Sequence, residues 1–305
     1  MIKIFEKRKI WYGISLAIML IGLGFAIAFK GLNFGIDFKG GTILTFNMGE
    51  QVNQDKVQEV EKVISDFTKK YSARETNNTE IELIIQTGAI ETEQVKELKT
   101  KVKEEFNLGD DYLVQEENIS GSIGSELTRK AFIASILSCI AIAIYIAVRF
   151  EFEFGVAAIV ALIHDLLITL SVYAILRIRI NSPFIAAVMT ILGYSMNDTI
   201  VIFDRIRENK KKLGKVETGE LINSSISQTM RRSIYTSLST LLTIMMMVIL
   251  VPGIRELTVP LIIGIITGTY SSIFIASPIW ATLRDKKDKK NPKAQYGKKK
   301  KTSEA

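Results

Sequence analysis

GYSMNDTIVIFDRIRE, residues 193–208, places the carboxylate of Asp198 inside a long apolar run. The run extends over residues 183–203, which is long enough as a helix to cross the roughly 30 Å of hydrocarbon in a bilayer. An ionisable group in hydrocarbon is costly, so it usually faces a partner or a water-filled path. This stretch therefore predicts a membrane-spanning helix that carries a functional acid.

Five further apolar runs predict additional spans. They cover residues 11–29, 131–149, 154–176, 233–251 and 257–283, so the chain is expected to cross the membrane six times. A mean hydropathy of +0.22 and 48% hydrophobic residues agree with a membrane protein. The first run follows a basic leader, but no small-residue cleavage site precedes Lys30, so we expect a retained anchor rather than a signal peptide.

Lys and Arg are distributed unevenly between the two sides of these spans. One side receives the leader 1–10, the segment 204–232 with eight basic residues, and the tail 284–305 with ten. Short loops on the other side carry only Arg177, Arg179 and Arg255. Because cytoplasmic loops retain positive charge, both termini, the 204–232 loop and the tail are predicted to be cytoplasmic.

Residues 30–130 form the one large polar segment, which the topology places outside the cytoplasm. Alternating apolar residues predict strands at 42–48, 81–86 and 112–119, and helical spacing predicts helices that include Val57–Phe67 and Val95–Phe106. Strand, helix, strand, helix, strand is typical of a split βαβ, ferredoxin-like sandwich. The predicted fold class is therefore an α-helical membrane protein with one α+β ferredoxin-like domain between spans 1 and 2.

The chain lacks the residues that are typical of several classes of function. It has one His, one Cys and neither a phosphate-binding P-loop nor a nucleophile elbow, so we expect no enzyme, no cofactor and no metal site. The net charge of +7 comes from the tail, because the other residues include 29 basic and 29 acidic ones. Since no basic face with interleaved aromatics accompanies those lysines, we expect no nucleic-acid partner.

Polar residues within the spans are the candidates for ion translocation. Span four contains Asn197, Asp198 and Thr199, and span three contains His164 and Asp165. Span five begins with Arg232. A desolvated carboxylate favours its protonated form, while a nearby Arg favours its charged form. A movable pairing of Asp198 with Arg232 can thus take up and release an ion. The alternative is a static salt bridge between spans four and five.

Glycines in two spans predict close helix contacts. Gly264 and Gly268 form a G-x-x-x-G pair in span six, and Gly22 and Gly24 give span one a small surface. Small residues let two helix backbones approach each other.

Four segments together resemble the SecF subunits of bacterial SecDF protein-export complexes, which belong to the resistance-nodulation-division superfamily. They are GIDFKGGT (35–42), ALIHD (161–165), GYSMNDTIVIFDRIRE (193–208) and RSIYTSLST (232–240). The resemblance extends over residues 11–283. That family usually shows a single Arg before a Thr where this chain has Arg231, Arg232 and Ser233, and the spacing matches Arg232 to the family's arginine.

The resemblance implies that the chain acts within a larger protein-translocation complex. SecD would supply the other half of the complex, SecYEG would supply the channel, and the outer domain would engage an unfolded secretory polypeptide. An H⁺ or Na⁺ gradient across the bacterial cytoplasmic membrane would supply the energy. By residue, Asp198 would be the protonatable site, Arg232 its charge partner, and Asn197 and Thr199 would shape the polar path. Residues 38–42, which are Phe38, Lys39, Gly40, Gly41 and Thr42, would form the hinge between span one and the outer domain.

Two other functions compete with this one. The chain could be half of a proton-coupled small-molecule or lipid exporter of the same superfamily, although such exporters usually carry two large outer domains and twelve spans. It could also be a non-transporting membrane adaptor, for which Asp198 and Arg232 would be replaceable together by apolar residues.

Overall fold

The computed structural model of the protein describes residues 3–214 and 216–290, so residues 291–305 of the predicted basic tail lie outside it. In chain order its main elements are α1 (Arg8–Ala28), α2 (Ile36–Lys39), β1 (Gly41–Asn47), α3 (Gln54–Ser65), β2 (Tyr71–Thr76), β3 (Glu80–Gln86), α4 (Thr92–Glu105), β4 (Leu113–Ile119), α5 (Gly121–Arg149), α6 (Phe152–Leu176), α7 (Ser182–Lys212), α8 (Thr218–Leu250), α9 (Arg255–Ser271) and α10 (Ser277–Lys290). A π-helical segment, Ser272–Ala276, joins α9 to α10.

Six helical segments among the described residues are long and apolar enough to span a membrane, which confirms the predicted number. They are α1, α5, α6, α7, α8 and the continuous run from α9 into α10. Several extend beyond the apolar runs: α7 continues to Lys212 and α8 begins at Thr218. Polar residues such as Lys, Arg and Glu are good helix formers, so a helix continues where hydropathy no longer marks it.

Chain contacts divide the protein into two compact units. One unit comprises the described residues 3–33, 134–178, 183–214 and 216–290, and we call it the helical unit. The other comprises residues 34–133 and 179–182, and we call it the sheet unit.

The helical unit is built around α6, α7 and the α9–α10 run. About half of the most apolar stretch of each of these helices is buried, whereas α1, α5 and α8 are buried over only 6–11% of theirs. Aromatic rings fill the core. The centroid of the Phe154 ring lies 4.8 Å from the centroid of the Phe203 ring and 4.7 Å from that of the Trp280 ring.

Glycines set the close helix contacts in this unit. A Cβ atom on Gly264 would lie 2.2 Å from Ile191 of α7, and one on Gly268 would lie 3.0 Å from Ser195. These distances confirm the close contact predicted for the G-x-x-x-G pair. In α1 the prediction holds at Gly22, whose Cβ would meet Ser171 of α6, but not at Gly24, which has open space around it.

The sheet unit contains a four-stranded sheet in the order β2-β3-β1-β4, with every neighbouring pair antiparallel. The three predicted strands are present, and β2 is an additional strand that the sequence analysis missed. Helices α3 and α4 supply apolar side chains to the core beside the sheet, which includes Phe46, Ile64, Leu83 and Leu98.

A buried ion pair holds the loop 179–182 to β3 within the sheet unit. Nη1 and Nη2 of Arg179 donate to the two carboxylate oxygens of Glu82 at 3.2 and 2.5 Å. Arg179 and Glu82 expose only 8% and 12% of their side chains. Burial alone would raise the pKa of Glu82, but the hydrogen bond and charge of Arg179, followed by those of Arg74, outweigh burial and hold this pKa below its usual range.

Acidification is therefore expected to destabilise the sheet unit. A carboxyl whose folded-state pKa is lowered contributes stability above the unfolded value, here 4.5, and loses it as the pH falls through the lower folded value. Thermal unfolding of the full chain in detergent should show this loss below about pH 4.5. Glu82→Gln should lower the free energy of unfolding by about 3 kcal/mol at neutral pH, because Arg179 stays buried without its anion. Glu116→Gln, at an exposed ion pair with Lys99, is the control, and equal losses in both variants would contradict the prediction.

Candidate intramembrane ion site

Asp198 lies on the buried side of α7, where α7 meets α8 and α9. One carboxylate oxygen, Oδ2, lies 3.3 Å from the hydroxyl oxygens of Ser237 of α8 and Thr269 of α9, and either hydroxyl can donate to it. The two hydroxyls are themselves 2.5 Å apart. Only 7% of Asp198 is exposed. Three helices thus converge on a single carboxylate whose neighbours are hydroxyls, and no ion pair within 4.0 Å joins it to a cation among residues 3–214 and 216–290.

A narrow cleft runs beside this carboxylate. Its walls come from α7, α8 and α9, and they include Tyr194, Ser195, Asn197, Asp198, Thr236, Ser237, Thr240, Gly268 and Thr269. Most of these side chains carry a hydroxyl, an amide or a carboxylate, so polar groups are concentrated in the walls of this cleft.

The three consecutive candidate residues of α7, 197–199, have different surroundings. Asn197 is exposed and lines the cleft beside Asp198. Thr199 faces the interior, where its Oγ1 lies 2.7 Å from Oγ of Ser272 at the start of the π-helical segment. Thr199 therefore joins α7 to the sixth span and is absent from the cleft wall.

The two arginines at residues 231 and 232 have different surroundings. The guanidinium of Arg231 lies over the ring of Tyr235, 5.3 Å from its centroid. Arg232 is exposed and interacts with Asp198 electrostatically, without a contact within 4.0 Å. Arg232 and Asp198 thus do not form the tight salt bridge of the static alternative, and the role of Arg232 as charge partner stays a prediction.

His164 and Asp165 form a second polar cluster in the interior, between α1, α6, α7 and α9. Oδ1 of Asp165 lies 3.0 Å from Nδ1 of His164, and Oδ2 accepts from Ser195 at 2.6 Å and from Ser271 at 2.8 Å. Nε2 of His164 lies 2.9 Å from Oγ of Ser15 in α1. No part of Asp165 is exposed. This cluster and the Asp198 cleft share Ser195.

Both clusters suit small cations. A carboxylate beside hydroxyls can bind a proton in either cluster, and the all-oxygen donor set around Asp198 also suits a hard metal cation, whereas His164 adds nitrogen to the other cluster. Across the described parts of the chain, the structure contains no group of three or more His, Cys, Asp or Glu residues that could hold a metal ion.

The serine and threonine partners of the two acids escaped the sequence analysis. They are Ser195, Ser237, Thr269 and Ser271. Their positions in the sequence could have indicated two of them. Ser195 lies one helical turn before Asp198, on the same face of the helix, and Thr269 directly follows Gly268, where a close helix contact was predicted.

The predicted hinge residues form the start of the sheet unit. Phe38 and Lys39 complete α2, and Gly41 and Thr42 begin β1. Gly40 has a φ of +73°, and a Cβ on it would lie 2.2 Å from Oγ1 of Thr87. Asp37 of α2, which was not predicted, accepts a hydrogen bond from the backbone N–H of Ser182 at 2.5 Å.

Comparisons with known proteins match most of the chain. The family described as protein export membrane protein SecD/SecF, C-terminal, matches residues 97–286, and the SecD/SecF GG motif matches residues 25–52. The chain is 36% identical to protein translocase subunit SecF of Sebaldella termitidis, over 79% of each chain. It is 44% identical to SecF of Alicyclobacillus acidocaldarius, over 58% of this chain and 59% of that one.

A solved structure shows the same fold. The crystal structure of SecDF from Thermus thermophilus, a translocon-associated membrane protein, is similar with a TM-score of 0.83 and 32% identity. The similarity covers 93% of this chain and 39% of the SecDF chain.

Proposed function

The chain belongs to the SecD/SecF family of protein export membrane proteins, and we propose that it drives late steps of protein translocation with the energy of an ion gradient. It is a multi-pass bacterial membrane protein, the SecF-like subunit of a Sec translocase. The observation that carries the energetic part is Asp198, a nearly buried carboxylate beside a hydroxyl-lined cleft. A proton-coupled exporter could use the same carboxylate, so it is the match to SecF that favours protein translocation over the exporter.

The partners follow from the same proposal. The similar SecDF chain is more than twice as long as the part that this chain matches, which supports SecD as the partner that completes the machine. SecYEG would be the channel and an unfolded secretory polypeptide the cargo. We assign no enzymatic activity and no cofactor to the chain, because the gradient supplies the energy.

The topology of the proposal places both termini in the cytoplasm and the sheet unit outside it, supported by the uneven distribution of Lys and Arg. We assign the sheet unit to the ferredoxin-like class. Its order of elements, strand-helix-strand-strand-helix-strand, and its sheet order β2-β3-β1-β4 support that class.

A cycle at Asp198 can convert ion flow into movement. When the carboxylate is charged, it attracts the hydroxyls of α8 and α9 and the more distant Arg232. When it binds a proton or Na⁺, that charge is neutralised, so the relative free energies of two arrangements of the helices change. One charge that crosses 100 mV yields about 2.3 kcal/mol, which is enough to shift such an equilibrium appreciably.

Export of a reporter precursor into inverted membrane vesicles tests the proposal. Vesicles that contain this chain and its SecD partner should export faster when a proton or a sodium gradient is imposed, and the effective gradient identifies the ion. An ionophore for that ion should remove the stimulation. Export that is equally fast with and without either gradient would contradict the proposal.

Neutralising Arg232 is expected to slow gradient-driven export by about tenfold, because the charged form of Asp198 loses the favourable electrostatic interaction with the guanidinium. The measurement is the same vesicle assay on Arg232→Gln. Arg231→Gln is the matched control, since Arg231 lies over Tyr235, and it should export at nearly the normal rate. Equal defects in the two variants would show that the basic pair acts as a whole and not through Asp198.

A further inference from the structure

The His164–Asp165 cluster is connected to α1 by a chain of hydrogen bonds whose hydrogens can be assigned. The hydroxyl of Tyr270 lies 2.8 Å from the backbone carbonyl of Trp11. A carbonyl can only accept, so the hydrogen of Tyr270 points at Trp11. Ser15 lies 3.3 Å from the Tyr270 oxygen and is the donor in this hydrogen bond, because the Tyr270 hydrogen is directed at Trp11. In this arrangement the oxygen of Ser15 is an acceptor for His164, so Nε2, which lies 2.9 Å away, carries a hydrogen.

The other ring nitrogen then defines the protonation state of the cluster. Nδ1 of His164 lies 3.0 Å from Oδ1 of Asp165. With a hydrogen already on Nε2, a neutral ring would turn the lone pair of Nδ1 toward a carboxylate oxygen, and the two atoms would repel each other. In this arrangement a proton therefore lies between them, and both ring nitrogens are protonated. Because Oδ2 already accepts from Ser195 and Ser271, the carboxylate form of Asp165 is favoured and the proton belongs on Nδ1.

We propose that His164 and Asp165 form a second proton-binding site, which stores one exchangeable proton in the interior and reports its presence to the first span through Ser15 and Tyr270. In the loaded state the pair is an imidazolium and a carboxylate with no net charge, as suits a site of which Asp165 is fully buried and His164 is 7% exposed. In the empty state the pair carries one negative charge.

Release of the proton changes a contact between two spans. The N–H bond at Nε2 breaks, its electron pair stays on the nitrogen, and a water molecule accepts the proton. The remaining ring hydrogen then belongs on Nδ1, where it faces the carboxylate, and Nε2 becomes an acceptor. Ser15 must turn its hydrogen from Tyr270 to Nε2, so the Ser15–Tyr270 hydrogen bond between α1 and α9 is lost, while the Tyr270–Trp11 hydrogen bond between the same helices remains. A change in proton occupancy is thereby converted into a change in how α1 is held.

The groups that face this pair are few in the part of the chain that the structure describes. Tyr270 of α9 stacks on the His164 ring with centroids 5.9 Å apart, and α1 and α7 contribute the hydroxyls of Ser15 and Ser195. Asp198 is one helical turn beyond Ser195 on α7. The proposal of a proton site rests on this geometry, whereas its use in export rests on the proposed function.

His164 is the only histidine of the chain, so its ring can be observed without assignment. The full chain, labelled with ¹⁵N-histidine, purified through a histidine-free tag and placed in lipid nanodiscs, should show two protonated ring nitrogens at neutral pH. His164→Gln identifies these signals by their loss. Asp165→Asn should give a neutral ring. Asp198→Asn should leave the imidazolium unchanged, so the result does not depend on whether Asp198 drives export.

Tyr270→Phe supplies the decisive comparison, because it removes one hydroxyl and preserves the shape of the ring. Ser15 is then free to donate to Nε2, so the imidazolium signals should be replaced at neutral pH by those of a neutral ring with its hydrogen on Nδ1. A wild-type ring that is neutral at this pH, or a Tyr270→Phe ring that stays an imidazolium, would overturn the proposal.

Discussion

Asp198→Asn is expected to abolish the gradient-driven part of export while the chain still folds and assembles with SecD. The amide has nearly the same shape as the carboxylate, and its carbonyl oxygen can still accept hydrogen bonds from Ser237 and Thr269. It cannot bind a proton or offer a negative charge to a cation. Loss of an obligatory proton transfer lowers a rate by at least about 100-fold. Export into vesicles under an imposed gradient measures the rate, and co-purification with SecD measures assembly.

Asp204→Asn makes the same chemical change on the same helix and is the matched control. Asp204 lies toward the end of α7, where it is partly exposed and pairs with Arg149 and Arg207. Exposed pairs contribute little, so this variant should export at close to the normal rate. If Asp198→Asn also exports normally under the gradient, then Asp198 is a structural residue and the adaptor function gains support.

The fold could be predicted wherever one residue type dominates a segment. Each span is an apolar run of about 20 residues, and the strands β1 and β3 contain enough apolar side chains to mark one buried face. Strand β2 has no such pattern: Tyr71–Thr76 contains two ionisable side chains of opposite sign, Arg74 and Glu75, and only one aliphatic residue. Its place depends on pairing with β3, which is information that lies in another part of the chain.

Only the charged residues of the candidate site could be predicted from the sequence. A carboxylate inside an apolar run is conspicuous, so Asp198 and Asp165 could be identified from the sequence. Their serine and threonine partners could not, because such residues are common in membrane helices and also donate to their own helix backbone, as Ser171 does to Leu167. Which hydroxyl meets which acid depends on helix rotation and on the close contact at Gly268.

The substitution Gly22→Val is expected to separate α1 from α6 and to lower the free energy of unfolding by about 3 kcal/mol. A Cβ at this position would lie 2.4 Å from Cβ and 2.6 Å from Cα of Ser171, so the obstacle includes backbone and cannot move aside as a flexible side chain can. Thermal unfolding of the full chain in detergent, followed by circular dichroism and by size-exclusion chromatography, measures the loss.

Gly24→Val is the matched control, two residues away on the same helix. A Cβ at Gly24 would have no atom within 4 Å, yet both variants introduce the same β-branched side chain and the same change in helix propensity. The difference between their unfolding temperatures therefore isolates the contact with α6. Ser15 lies two helical turns before Gly22 on the same face of α1, so a tight contact at Gly22 also holds Ser15 beside His164. Equal unfolding temperatures for the two variants would mean that α1 is not packed tightly here, and the Ser15–His164 hydrogen bond would lose the packing that supports it.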